Sequence, residues 1–210
     1  DLPSFRLEKD VVDAEIDEMK EMGVEFRTGV EVGKDVTIQE LRDEGYAAFY
    51  IAVGLQSGGI LDVEGADAEG VMSGIDFMRI INEDEVALMQ GRLPEAGKLS
   101  GNVVVIGGGN VAADVARTAV RSGADKVIMC ALEGYDELPM GVEDRTECEE
   151  EGIVVNGGWG PVEIYNKDGK VSGIKFRKCV SVKNEEGRFD PKFDESVTTV
   201  LECSTVLYCT

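Results

Sequence analysis

The chain has 210 residues, 42 of them acidic against 21 basic, a formal net charge of −21, no histidine and 43% hydrophobic residues. That apolar content excludes a disordered acidic tail, and the charge makes nucleic acid and anionic membrane surfaces poor partners, so neither is expected. The missing histidine excludes Ser-His and Cys-His catalysis and every His-ligated metal site.

The five cysteines, Cys130, Cys148, Cys179, Cys203 and Cys209, include no C-x-x-C pair. A zinc ribbon, a ferredoxin-type cluster and a dithiol redox centre are therefore not expected, and the thiols read as buried and reduced in a cytoplasmic protein. No apolar run approaches the ~18 residues of a bilayer span. The chain begins at Asp1 rather than at a methionine, so it reads as an excised piece in which an upstream signal cannot be judged.

Residues 7–22 predict an amphipathic helix, with Val12, Ile16, Met19 and Met22 at helical spacing and Gly23 as a stop. A short strand is expected over 24–30. Thr37-Ile38-Gln39-Glu40 is a capping box opening a two-turn helix, and the apolar run 47–54 predicts a parallel strand buried on both faces. Residues 55–72 are glycine-rich and read as linker. Ser73 is an N-cap for a helix over 74–83 carrying Ile75, Met78, Ile80 and Ile81. A second loop over 90–102 precedes the next strand, and the domain junction is placed across 55–100.

From residue 102 the pattern is βαβ. Residues 102–106 predict a buried strand, 107–109 a glycine turn, 110–122 a helix and 126–130 a second strand. A charged helix near 140–151 and a short strand after Gly152 follow. Two β segments joined at Asn166-Lys167-Asp168-Gly169 form a hairpin. A third strand is expected at 196–202, and the chain returns to the sheet at 204–210. The acidic run Glu147, Glu149, Glu150 and Glu151 reads as a solvated helix face. Trp159, between Gly158 and Gly160, reads as a packing anchor rather than a stacking platform.

Gly107-Gly108-Gly109-Asn110-Val111-Ala112 fits G-x-G-x-x-A, directly after a strand and directly opening a helix. Gly107 makes the tight turn, Gly109 lets a pyrophosphate approach the backbone, and Ala112 lets the helix pack against the strand. The helix N-terminus offers N–H groups to the phosphates. The end of the second strand, Leu132 and Glu133, is placed to meet the adenosine ribose. A carboxylate there accepts from the 2′-OH and repels a 2′-phosphate, and the nearest arginines are Arg121 and Arg145, so NAD(H) is favoured over NADP(H). No acid–base set accompanies this turn, and no catalytic side chain is assigned. Hydride transfer between two cofactors needs positioning and exclusion of water rather than a protein proton donor. A non-catalytic NAD(H)-binding sensor or scaffold domain is the alternative. A S-adenosylmethionine-dependent transferase is a further one, which the phase of the glycines disfavours.

The segments 3–16, 23–54, 69–79, 103–124 and 136–140 resemble the small subunit of glutamate synthase and related flavin-dependent NAD(P)H oxidoreductase modules, including one in dihydropyrimidine dehydrogenase. The resemblance runs in order over nearly the whole chain. It implies an α/β, Rossmann-like FAD/NAD(P)-binding fold, with a parallel sheet and a three-stranded antiparallel β-meander at about 159–203. By it, 1–57 is a partial FAD-domain segment, with Ala52-Val53-Gly54 matching the strand-end motif beside the flavin, 58–100 a linker with one helix, and 101–210 the NAD(P)H-binding domain. It implies electrons passing from NAD(P)H to FAD and then to an iron–sulfur or large catalytic partner subunit. The FAD domain's own glycine fingerprint, the family's cysteine clusters and its C-terminal FAD segment are not in the sequence, so the piece is expected neither to hold FAD nor to turn over alone. NADPH-linked members carry two arginines where this sequence has Leu132 and Glu133, which agrees with NADH.

Overall fold

Every residue of the run Val103-Val104-Val105 is fully buried, and the sheet built around it explains why. In the computed structural model, which describes residues 2–55, 57–59, 61–83 and 94–210, the chain divides into a unit over 57–210 and a smaller one over 2–56.

In the larger unit five strands form a parallel sheet in the order β1-β8-β2-β3-β4. They are β1 (Val71–Ser73), β2 (Asn102–Ile106), β3 (Lys126–Ala131), β4 (Val154–Gly157) and β8 (Thr205–Tyr208). Val104 sits at the centre, opposite Val206 on one side and Ile128 on the other. Successive side chains of a strand point to opposite faces. Val103 and Val105 accordingly pack with Phe77, Val115 and Met129 under the helices, while Val104 and Ile106 pack with Ile164, Ile174 and Phe176. Cover on both faces is what turns these strands into unbroken apolar runs.

The second cover is a three-stranded antiparallel sheet, β5 (Trp159–Lys167), β6 (Lys170–Lys183) and β7 (Phe189–Leu201), inserted between β4 and β8. Lys167 pairs with Lys170 across the two-residue turn Asp168-Gly169, whose φ angles of 53° and 80° suit a primed hairpin turn. The meander and the parallel unit thus stand where the sequence places them, with β7 extending seven residues earlier than the predicted strand.

The helices over the first face are α3 (Gly74–Glu83), α4 (Asn110–Arg121) and α5 (Val142–Glu150). Ser73 caps α3, its Oγ accepting from the Asp76 N–H at 3.1 Å. The glycine-rich stretch 55–72 differs from a free linker. Leu61 and Ala68 are buried, and Val71–Ser73 adds an edge strand to the sheet by pairing with β8. A three-residue strand is too short to show periodicity, and its partner lies 135 positions onward, from Val71 to Val206. Of the second predicted loop, residues 90–93 lie outside the described residues.

The smaller unit contains α1 (Lys9–Glu21) and α2 (Ile38–Asp43). The capping box of α2 is complete. The Glu40 N–H donates to Thr37 Oγ1 at 3.2 Å, and the Thr37 N–H donates to Glu40 Oε2 at 2.8 Å. The strands expected over 24–30 and 47–54 do not form. Both stretches are irregular, with Tyr50 94% and Ile51 80% exposed. An apolar run reports an appetite for burial, whereas a strand also needs a neighbouring backbone to complete its ladder.

Candidate nucleotide-binding site

β2 ends at Ile106 and α4 begins at Asn110, leaving three glycines to reverse the chain. The Gly107 N–H donates to the Cys130 carbonyl at 2.9 Å, and the Cys209 N–H donates to the Ile106 carbonyl at 2.7 Å, pinning the turn between the ends of β3 and β8. Gly107 has φ +140°, and a Cβ there would lie 2.8 Å from the Cys209 carbonyl oxygen, so no other residue fits. A Cβ on Gly108 would meet Ala131 Cβ at 2.8 Å. Ala112 is buried where α4 closes on this turn.

Gly109 is different. A Cβ there would meet nothing within 4 Å, and its φ of −92° and ψ of 178° are open to any residue. Packing does not require this glycine, which leaves space for a ligand against the backbone. Gly109 is also the N-cap of α4 and supplies no side-chain cap, so the first N–H groups of the helix face outward with a partial positive charge. Asn110 accepts from the Gly141 N–H at 3.0 Å through its Oδ1 and joins the start of α4 to the start of α5. Val111 is 57% exposed.

Above the turn lies a cleft of about 350 Å³, and Gly107, Gly108, Gly109, Leu132 and Glu133 all line it. The Glu133 carbonyl accepts from the Gly158 N–H at 2.6 Å. Glu133 and Pro139 also border a neighbouring recess of about 560 Å³ whose far wall is Val180–Lys183. Arg177 and Lys178 of β6 act on the Cys179 thiol together with Glu133, whereas the two arginines nearest to Glu133 in sequence are engaged elsewhere. Arg121 bonds Glu151 at 2.7 Å, and Arg145 donates to the Tyr135 carbonyl at 2.9 Å. Topology adds wall residues that no local motif marks, namely Pro139, Trp159, Pro161, Phe189 and Thr210. Of these Trp159 carries a sequence signal in its glycine neighbours, and Pro139 falls within the segment 136–140 that carries the family resemblance. Asn110, Val111 and Ala112 support the turn without lining the cleft. Ala52 and Gly54 belong to the smaller unit, where both are exposed.

Cys130 and Cys209 reach the cleft wall, and burial pushes both thiols up to about 12, so they are neutral at pH 7. All five cysteines are free thiols, four of them buried. Among the described residues, no group of three or more cysteine or acidic side chains is placed to hold a metal ion, and no helix is long and apolar enough to cross a membrane.

No family model matches the chain. It is similar to the beta subunit of NADP(+)-dependent formate dehydrogenase from Moorella thermoacetica, 31% identical over 212 aligned residues, covering 98% of this chain and 28% of that subunit. It is likewise similar to the glutamate synthase (NADPH) small chain of Escherichia coli strain K12, 32% identical over 193 residues, covering 91% of this chain and 40% of that one. The chain thus spans well under half the length of these relatives. The structure of Mycobacterium tuberculosis FprA in complex with NADPH matches with a TM-score of 0.68 over 85% of this chain and 53% of that chain, at 21% identity, a likeness of fold. The fold is Rossmann-like, of the FAD/NAD(P)-binding class, with a parallel sheet and an antiparallel meander, and in sequence the chain is a relative of the glutamate synthase small chain and of the oxidoreductase subunits that resemble it.

Proposed function

We propose that the chain is the NAD(H)-binding portion of a flavin-dependent oxidoreductase of the glutamate synthase small-subunit type. In the whole protein, hydride passes from NAD(P)H to FAD and electrons continue to iron–sulfur centres of a partner subunit. The observation that carries this reading is Gly109, a residue that the fold does not need as glycine and that leaves the N-terminus of α4 open to a pyrophosphate. Gly107 and Gly108 shape the turn, the first N–H groups of α4 meet the phosphates, and Leu132 and Glu133 meet the adenosine ribose. The nucleotide supplies the hydride, and the chain's part is to bind, orient and exclude water.

NADH is the preferred form on this reading. Glu133 lines the cleft, and the two arginines nearest to it in sequence are engaged by Glu151 and by the Tyr135 carbonyl. The relatives named for NADPH mark this as a departure from them. Residues 1–57 serve as part of the FAD domain, with Ala52 and Gly54 beside the flavin, and the exposed apolar stretch through Tyr50, Ile51 and Leu55 supports that role. The chain alone is expected to bind NADH without turning over.

Gly109→Val tests the assignment. A side chain there enters open space and costs only the poorer N-cap, so the melting temperature is expected to fall by no more than about 4 °C, while NADH affinity measured by calorimetry falls at least ~10-fold because the pyrophosphate loses its approach. Unchanged NADH binding by a folded Gly109→Val chain removes the site.

A further inference from the structure

Trp159 is the chain's one tryptophan, and it lines the cleft beside Glu133. Its two glycine neighbours explain how it arrives there. Gly158 holds φ +79° while its N–H reaches the Glu133 carbonyl. A Cβ on Gly160 would lie 2.5 Å from the Phe193 ring and 3.1 Å from Leu132 Cδ2. A side chain on Gly160 would thus crowd Leu132, just beyond the end of β3, while one on Gly158 would meet the Lys178 ammonium at 2.7 Å in a left-handed backbone conformation that side chains rarely adopt. The ring itself is fixed from two directions. It packs against the core cluster shared by the sheet and the meander, and its cross-strand partner Lys178 holds an ammonium 5.0 Å from the ring centroid. An aromatic side chain immobilised before a ligand arrives adds contact without further loss of rotamer freedom. Phe189, 70% exposed, adds a second aromatic at the rim.

This inference rests on the reading of the cleft as a dinucleotide site. On that reading Leu132 and Glu133 mark the adenosine ribose; Gly158 bonds the Glu133 carbonyl, and Gly160 lies close enough to Leu132 that a Cβ there would come within 3.1 Å of it. Cys209 and Thr210 line the same cleft. We infer that Trp159 is a binding residue for adenine, the base displacing the Lys178 ammonium that lies over the indole and stacking on that face while Glu133 holds the ribose. The packing role expected from the sequence is real, and it presents the ring to the ligand.

The emission of the chain reports this residue alone, which allows a test on the unmodified protein. The intact chain is titrated with NADH, with ADP-ribose, and with nicotinamide mononucleotide, which lacks the adenosine. Quenching or shift of tryptophan emission is expected with ADP-ribose and absent with nicotinamide mononucleotide. By calorimetry, Trp159→Ala is expected to weaken ADP-ribose binding roughly 10- to 100-fold, and Trp159→Phe to restore it to within about threefold of the parent, since stacking needs a π-face rather than an indole. ADP-ribose that binds without changing the emission overturns the inference and leaves the dinucleotide reading standing. Failure of both NADH and ADP-ribose to bind overturns that reading and the inference with it. Should Trp159→Ala not fold, the emission of the parent chain decides.

Discussion

Gly107 and Gly109 are two residues apart and answer to different requirements. The first is held at φ +140° against the Cys209 carbonyl, so the fold demands it; the second borders open space, so only a ligand demands it. The G-x-G-x-x-A pattern is legible in sequence because turn, cap and helix start all fall within six residues. Phe189 and Thr210 are not, because only the crossover connections bring them to the cleft, and spacing carries no trace of that. Glu133 lies between these cases, predicted by its distance from the turn and found on the cleft wall. A carboxylate that accepts from ribose hydroxyls favours NADH directly and opposes a 2′-phosphate by like charge. Glu133→Ala is therefore expected to lower NADH affinity by about tenfold and to raise NADPH affinity, a change in ratio that parallel titrations measure. An unchanged ratio removes the ribose assignment.

At the scale of elements, α4 and α5 are joined by charge where sequence predicts only a solvated acidic face. Arg117, 8% exposed within α4, bonds Glu151 at 2.7 Å through its Nε and pairs with Glu147 through a terminal nitrogen, while Arg121 adds a second cation to Glu151. Glu149 accepts from the Tyr135 hydroxyl. An i, i+4 carboxylate pair on one helix looks solvated until the arginine that meets it, 30 positions away, is in view. Truncating Arg117 leaves two carboxylates side by side on one helix with Arg121 alone to offset them. Arg117→Met is expected to cost about 1–2 kcal/mol, a fall of roughly 2–8 °C in melting temperature. Burial works to raise the Glu151 carboxyl, but the hydrogen bonds and charges of Arg121 and Arg117 outweigh it and hold Glu151 below its usual 4.5. Its contribution is therefore complete above pH 4.5 and lost as the pH falls through the lower folded value. Glu151→Gln is expected to flatten the acid limb of stability against pH, and a limb as steep as the parent's would contradict the clip. Strands divide along the same line. The run 102–106 becomes a strand because β3 and β8 flank it, and the comparably apolar 47–54 stays irregular. Composition specifies burial, while hydrogen-bonding partners are supplied by the topology.

Across the whole molecule, the core and the charge are distributed differently. Both hydrophobic clusters draw only on residues from Leu61 onward, and neither α1 nor α2 buries a side chain, so the larger unit carries the core that holds the cleft. The charge of −21 belongs to the entire chain and acts at longer range than any contact. A nucleotide carrying a negative pyrophosphate must approach against that field and then bind at the N-terminus of α4, where the attraction is local. Salt screens exposed charges beyond about 8–10 Å while leaving interactions at contact largely intact. The repulsive part is thus removed by salt and the attractive part is retained. NADH affinity is accordingly expected to rise several-fold, with faster association, as sodium chloride goes from about 10 mM to 150 mM. The same titration separates two sources of binding. A site held together by a general basic surface weakens with salt, because its attraction is itself screened. A site built from backbone N–H groups inside an acidic molecule strengthens. A monotonic loss of NADH affinity with salt would place the anion against side-chain cations such as Lys178 or Lys183 rather than at the glycine turn.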